Sequence, residues 1–79
     1  MKVKVIVSLK EGVLDPQAKA IHHALQTCGF AQVENVKLSK EIILDIQDNN
    51  KVEVEKSAHK MCKELLANTV IEDYKVEIL

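Results

Sequence analysis

The 79-residue chain is 47% hydrophobic and 29% charged, a composition too apolar for a disordered tail and too evenly charged for a membrane segment. Eleven basic side chains against twelve acidic ones leave a formal charge of -1, which supplies no long-range attraction for nucleic acid or anionic lipid. A chain of this size buries roughly 60% of its unfolded surface, so a solitary core is marginal and a partner or self-association is expected.

Met1-Lys2-Val3-Lys4 leads directly into strand sequence, with neither an apolar signal core nor the ~20 apolar residues of a membrane helix. A cytoplasmic protein is expected, with residues 1–79 forming one domain. Val3, Val5, Val7 and Leu9 alternate with Lys2, Lys4, Ile6 and Ser8, the period of a strand with one buried face. After a short loop, Asp15 precedes Pro16, an N-cap acceptor followed by the position where proline's missing N–H costs nothing. The helix that starts there places Ala18, Ile21, Leu25 and Cys28 on one stripe, and Gly29 is its stop.

Over residues 36–46 the even positions are mostly apolar (Val36, Leu38, Ile42, Leu44, Ile46), and the parity survives across Ser39-Lys40. One long bent strand or a hairpin with a three-residue loop would both keep it. Asn50 followed by Glu53 resembles a capping box. The second helix carries Val54, Ala58, Met61, Cys62 and Leu65 on one face and ends near Asn68. Tyr74, Val76 and Ile78 then alternate with Lys75, Glu77 and Leu79, so the chain finishes as a strand.

The order β-α-β(β)-α-β predicts an α+β fold, an antiparallel sheet with both amphipathic helices on one face, of ferredoxin-like topology or a close relative. The other face carries Lys2, Lys4, Ser8, Lys37, Asp45, Lys75 and Glu77, interrupted by Ile6, Ile43 and Leu79. Those three are either scattered exposed aliphatics or, if the strands bring them together, an oligomer contact.

Catalytic parts are missing. Gly12 and Gly29 are the only glycines, too few for a phosphate-cradling loop or a dinucleotide fingerprint. His23 and His59 fall off the apolar stripes and His22 lies at the edge of one, so all three read as solvated side chains rather than ligands. No C-x-x-C pair offers thiolates to a metal, and Cys28 and Cys62 read as two reduced, buried thiols. No serine sits in a nucleophile elbow. No catalytic, cofactor or metal site is expected in this chain. Glu72-Asp73 before the lone tyrosine, Tyr74, reads either as a solvated turn or as a docking surface with an aromatic anchor.

The stretches Val5-Ile6-Val7-Ser8-Leu9-Lys10, Val13-Leu14-Asp15-Pro16-Gln17, Val36-Lys37-Leu38, Met61-Cys62-Lys63, Leu65-Leu66-Ala67-Asn68 and Val70-Ile71-Glu72-Asp73-Tyr74 resemble, in order and over essentially the whole chain, the PurS subunit family of phosphoribosylformylglycinamidine synthase. Ala18 stands where the family often has glycine, which favours the helix by about 1 kcal/mol. Ser39-Lys40 stands where it often has Gly-Lys, and since positive φ is costly for serine, a bent strand is favoured over a tight hairpin.

The resemblance implies a non-catalytic subunit of purine (IMP) biosynthesis. A PurQ-type glutaminase subunit releases ammonia, a PurL-type synthetase subunit uses ATP and Mg²⁺, and the small subunit docks the two so that ammonia crosses between them. Such a subunit is expected to be a homodimer or homotetramer with edge-to-edge sheet contacts. Docking is expected on Gly12, Val13, Leu14, Asp15 and Gln17 and on Asn68, Thr69, Glu72, Asp73 and Tyr74, which carry sequence detail beyond the needs of capping and core packing. The alternatives are a ferredoxin-like regulatory domain that binds a small metabolite, and a small enzyme that uses a histidine.

Overall fold

The computed structural model describes residues 1–79. Its elements are β1 (Lys2–Leu9), α1 (Pro16–Thr27), β2 (Ser39–Asp45), α2 (Lys51–Met61), which continues as a π-helical turn over Cys62–Leu66, and β3 (Glu72–Ile78). The strands form one antiparallel sheet in the order β2-β1-β3, with Val5 opposite Ile42 on one side and Val76 on the other.

That register puts the apolar parity of all three strands on one face. Val3, Val5 and Val7 are buried there beneath Val54 and Ala58 of α2 and Cys62 of the π-helical turn, with Ile42, Leu44, Tyr74, Val76 and Ile78 packed around them. Cys62 is a buried thiol, and desolvation pushes its pKa up.

Both helices begin at the caps expected. The Asp15 carboxylate accepts the N–H groups of Gln17 and Ala18 at 3.0 and 3.2 Å, and the Asn50 side chain accepts those of Val52 and Glu53 at 3.1 and 3.3 Å. The reciprocal arm of a capping box is supplied by Asp48 instead of Glu53, since the Asn50 N–H donates to the Asp48 carboxylate at 3.0 Å.

Residues 36–46 are neither a long bent strand nor a hairpin. β2 starts at Ser39, opposite Ser8. Beyond Ser8, β1 turns away: the Lys10 N–H donates to the Ile71 carbonyl, and the Lys10 carbonyl accepts from Val13. Val36 and Leu38 therefore keep strand parity with no strand beside them.

α2 lies against the sheet, whereas α1 stands away from it. Of the α1 stripe only Ala18 is buried; Ile21 is 37% exposed, and Cys28 is exposed rather than the buried thiol expected. The molecule measures 50 × 24 × 14 Å with a radius of gyration of 16.1 Å, against about 12 Å for a compact chain of this length. Amphipathicity identifies which side of a helix seeks cover, and here this chain does not provide the cover.

Candidate functional site

The two segments singled out for docking, far apart in sequence, meet at one end of the sheet. Residues 10–15 and 67–73 are joined by the Lys10–Ile71 backbone bond at 2.9 Å and by the strand register, which sets Leu9 opposite Glu72 and Ser8 opposite Asp73. Lys10 Nζ lies 3.7 Å from the Asp73 carboxylate, an exposed pair that holds the loop lightly. Together these segments form a rim.

Each half is shaped by its own residues. Gly12 takes φ +83°, which lets residues 10–13 turn back without a Cβ clash against the backbone. Val13 is half-buried, Leu14 is 66% exposed, and Asp15 is occupied as the cap of α1, with Gln17 exposed on its first turn. In the other half, the Asn68 side chain accepts from the Val70 N–H, its carbonyl accepts from Ile71 and Glu72, and its own N–H donates to the Glu72 carboxylate at 2.7 Å. Asn68 and Glu72 build the turn.

Those two positions thus have a structural task in the turn, which presents Thr69 and its neighbours outward. The π-helical turn, closed by the Ala67 N–H to the Cys62 carbonyl, precedes this turn and leaves Leu65 83% exposed; Val70 is 82% exposed. Neither residue stood out in the sequence as a docking group. A π turn inside a helical pattern has no signal in apolar periodicity, and it moves Leu65 off the stripe that predicts burial.

Tyr74 is not an outward anchor. It lies opposite Val7 on the core-facing parity of β3, packs against the core, and its ring meets that of His59 edge-on at 5.7 Å between centroids. Its hydroxyl is 3.5 Å from His59 Nδ1. The strand alternation carried this placement; the rarity of aromatics in the chain pointed the other way.

Ile6, Ile43 and Leu79 do not gather. Ile6 lies opposite Glu41 and Lys75, and Ile43 lies opposite Lys4, so those two are diagonal neighbours, while Leu79 bonds to Lys2 at the far end of the sheet. Ion pairs run across the face instead: Lys4 with Glu41 at 3.7 Å and Glu77 at 3.4 Å, and Lys75 with Glu77 at 3.3 Å. Hydrogen bonds from Lys75 and then Lys4 hold the Glu77 carboxyl below its usual range.

His22 is not simply solvated. Its Nε2 and the Gln26 amide both lie 2.8 Å from the Val33 carbonyl, so one turn of α1 ties the returning chain to the helix. A groove of about 400 Å³ is lined by residues of the rim loop, Gly12, Leu14 and Asp15 among them, together with His22, Asn35 and Leu38.

The chain matches the family model described as PurS, phosphoribosylformylglycinamidine (FGAM) synthase, over residues 2–79. It is 47% identical to the phosphoribosylformylglycinamidine synthase subunit PurS of Bacillus subtilis over 77 residues, covering 98% of this chain and 90% of that protein. Among solved structures, B. subtilis PurS superposes with a TM-score of 0.86, covering 96% of this chain and 94% of the other at 47% identity. A chain of the PurLQS structure from Thermotoga maritima superposes with a TM-score of 0.88 at 32% identity, covering 99% of this chain and 95% of the other. A chain that matches in sequence and in fold from end to end belongs to the PurS family of phosphoribosylformylglycinamidine synthase.

Proposed function

We propose that this protein is the assembly subunit of a phosphoribosylformylglycinamidine synthase in purine biosynthesis. It docks a PurQ-type glutaminase to a PurL-type, ATP- and Mg²⁺-dependent synthetase, so that ammonia released at one site reaches the other without escaping to water. The observation that carries this reading is the near-complete superposition on a chain of the T. maritima PurLQS structure. The site geometry supports it: the rim offers exposed aliphatic side chains and turn backbone, the features of a protein contact.

The protein acts in the cytoplasm as a homo-oligomer, and the contact with the enzyme subunits is made by the rim, through Gly12, Val13, Leu14, Asp15 and Gln17 on one side and Asn68, Thr69, Glu72 and Asp73 on the other. Size-exclusion chromatography of the purified glutaminase and synthetase, with and without this protein, tests the docking role. A ternary complex that forms only when the protein is present supports it; two enzyme subunits that co-elute equally well alone contradict it.

A further inference from the structure

We propose that the outer face of α2 is a second docking surface, a lysine stripe that takes an acidic surface of one of the two enzyme subunits. This rests on the docking role proposed above and adds to it a contact outside the rim.

Helical spacing makes the stripe. Lys56, Lys60 and Lys63 follow one another at intervals of four and three residues, which places them within about 60° around the helix and over about 10 Å along it. All three are exposed, while Val54, Ala58 and Cys62 are buried against the sheet, so the stripe lies on the side away from the core. The lysines line an open groove of about 480 Å³ together with Val52, Glu55 and His59. Glu55 is the one carboxylate among these six.

The stripe is not neutralised from within the chain. Glu53 stands three residues before Lys56 and Glu64 four after Lys60, spacings that permit ion pairs. Yet the ion pairs of the structure all belong to Lys4, Lys10 and Lys75. Like charges four residues apart repel along a helix, and carboxylates of a partner would replace that repulsion by attraction.

The chemistry of the groove favours a protein surface over a small anion. Its walls are mid-helix, where the backbone N–H groups are already bonded along the helix, so none converge on a phosphate. The chain has no arginine to offer a bidentate fork. Val52 is 59% exposed at one end, and with the lysine stems it gives the groove the mixed aliphatic and charged character of a protein contact.

The stripe is also held in place. The His59 ring meets that of Tyr74 edge-on at 5.7 Å, which ties this wall of the groove to β3. Beyond Lys63 the π-helical turn leads into Ala67 and the Asn68 turn, so the stripe borders the rim and one assembly can use both. A subunit that joins two proteins needs a surface for each.

The test uses the full chain and the variant Lys56→Glu with Lys60→Glu, both positions exposed and outside the rim and the core. A matched variant, Lys2→Glu with Lys40→Glu, changes the net charge equally on other parts of the surface. Calorimetric titration against the purified glutaminase and synthetase, separately and mixed, reads docking. Wild-type binding is expected to weaken as salt rises from about 0.05 M to about 0.3 M, because salt screens the contact. The stripe variant is expected to bind at least about tenfold more weakly, with a salt dependence that shrinks or inverts, because like charges then meet across the contact; the matched variant is expected to bind within about twofold of the wild type.

A stripe variant that binds as tightly as the wild type overturns the proposal, and so does an equal loss in both variants, which is an effect of net charge alone. Titration with inorganic pyrophosphate covers the other occupant: a wild type that binds it through these lysines, beside a variant that docks normally, overturns the protein contact. If circular dichroism shows that the stripe variant has lost its helices, Lys56→Gln with Lys60→Gln replaces it, with a loss of about threefold or more expected and unchanged docking overturning the proposal. A wild type that binds neither enzyme subunit contradicts the docking role itself, which separates the two failures.

Discussion

The backbone N–H of Lys10 donates to the carbonyl of Ile71 at 2.9 Å, and this bond brings two segments sixty residues apart into one rim. Each segment is fixed by its own turn: Gly12 at positive φ in one, and the Asn68–Glu72 hydrogen bonds in the other. The rim is thus tied to the sheet at its base, and it presents to solvent aliphatic side chains such as Leu14 and Val70 beside the charged Lys10 and Asp73, the mixture that a protein contact uses.

Asp73→Lys removes the exposed pair with Lys10 and repels it. Exposed ion pairs contribute little, so the stability change is expected within about 1 kcal/mol. If Asp73 belongs to the docking surface, co-elution with the enzyme subunits weakens markedly. Urea unfolding and chromatography on the same sample separate the two effects.

Tyr74→Ala is expected to act on the fold. Truncating a partly buried aromatic against the core costs about 2–3 kcal/mol, below the range for fully buried rings. Tyr74→Phe keeps the ring contact with His59 and loses only a hydroxyl 3.5 Å from its nitrogen, so it should unfold within about 0.5 kcal/mol of the wild type. Equal urea midpoints for the alanine variant and the wild type would contradict the inward placement.

Asp15→Ala and Asn50→Ala each remove a helix cap with two accepted N–H groups and should each cost about 1 kcal/mol. The unfolding midpoint reads this directly. Because Asp15 also borders the groove, a docking loss in its variant is informative only beside an Asn50 variant of equal stability that docks normally.

The two cysteines should differ in reactivity. Cys28 is exposed and should react with a thiol reagent in the native protein, whereas Cys62 should react only on unfolding. Burial raises the Cys62 pKa above its ordinary 9.0, so the folded state holds a proton that the unfolded state releases. Its contribution to stability is present below about pH 9 and is lost as pH rises through the raised value. Urea unfolding as a function of pH should show this decline in the wild type, and Cys62→Ala should remove it.

Much of the fold was legible locally. Val3, Val5 and Val7, the Asp15 and Asn50 caps, and the core parity of Tyr74, Val76 and Ile78 are period and capping signals, and each is set by neighbours in sequence. What escaped was non-local. Whether Val36 and Leu38 find a strand depends on where β1 turns, and whether Ile21 is covered depends on what lies outside the chain. At the rim, the hydrogen bond by which Asn68 and Glu72 build the turn joins residues across it and is invisible in a one-dimensional pattern. Leu65 falls on the stripe by apolar periodicity, and the π turn over Cys62–Leu66 shifts the helical phase and takes it off.

The most direct measurement is amidation by the purified synthetase and glutaminase, with and without this protein, fed either glutamine or free ammonium. An assembly subunit makes glutamine-dependent turnover depend on its presence while ammonium-dependent turnover proceeds without it. If neither rate responds to the protein, it does not couple the two active sites, and the proposed function is wrong.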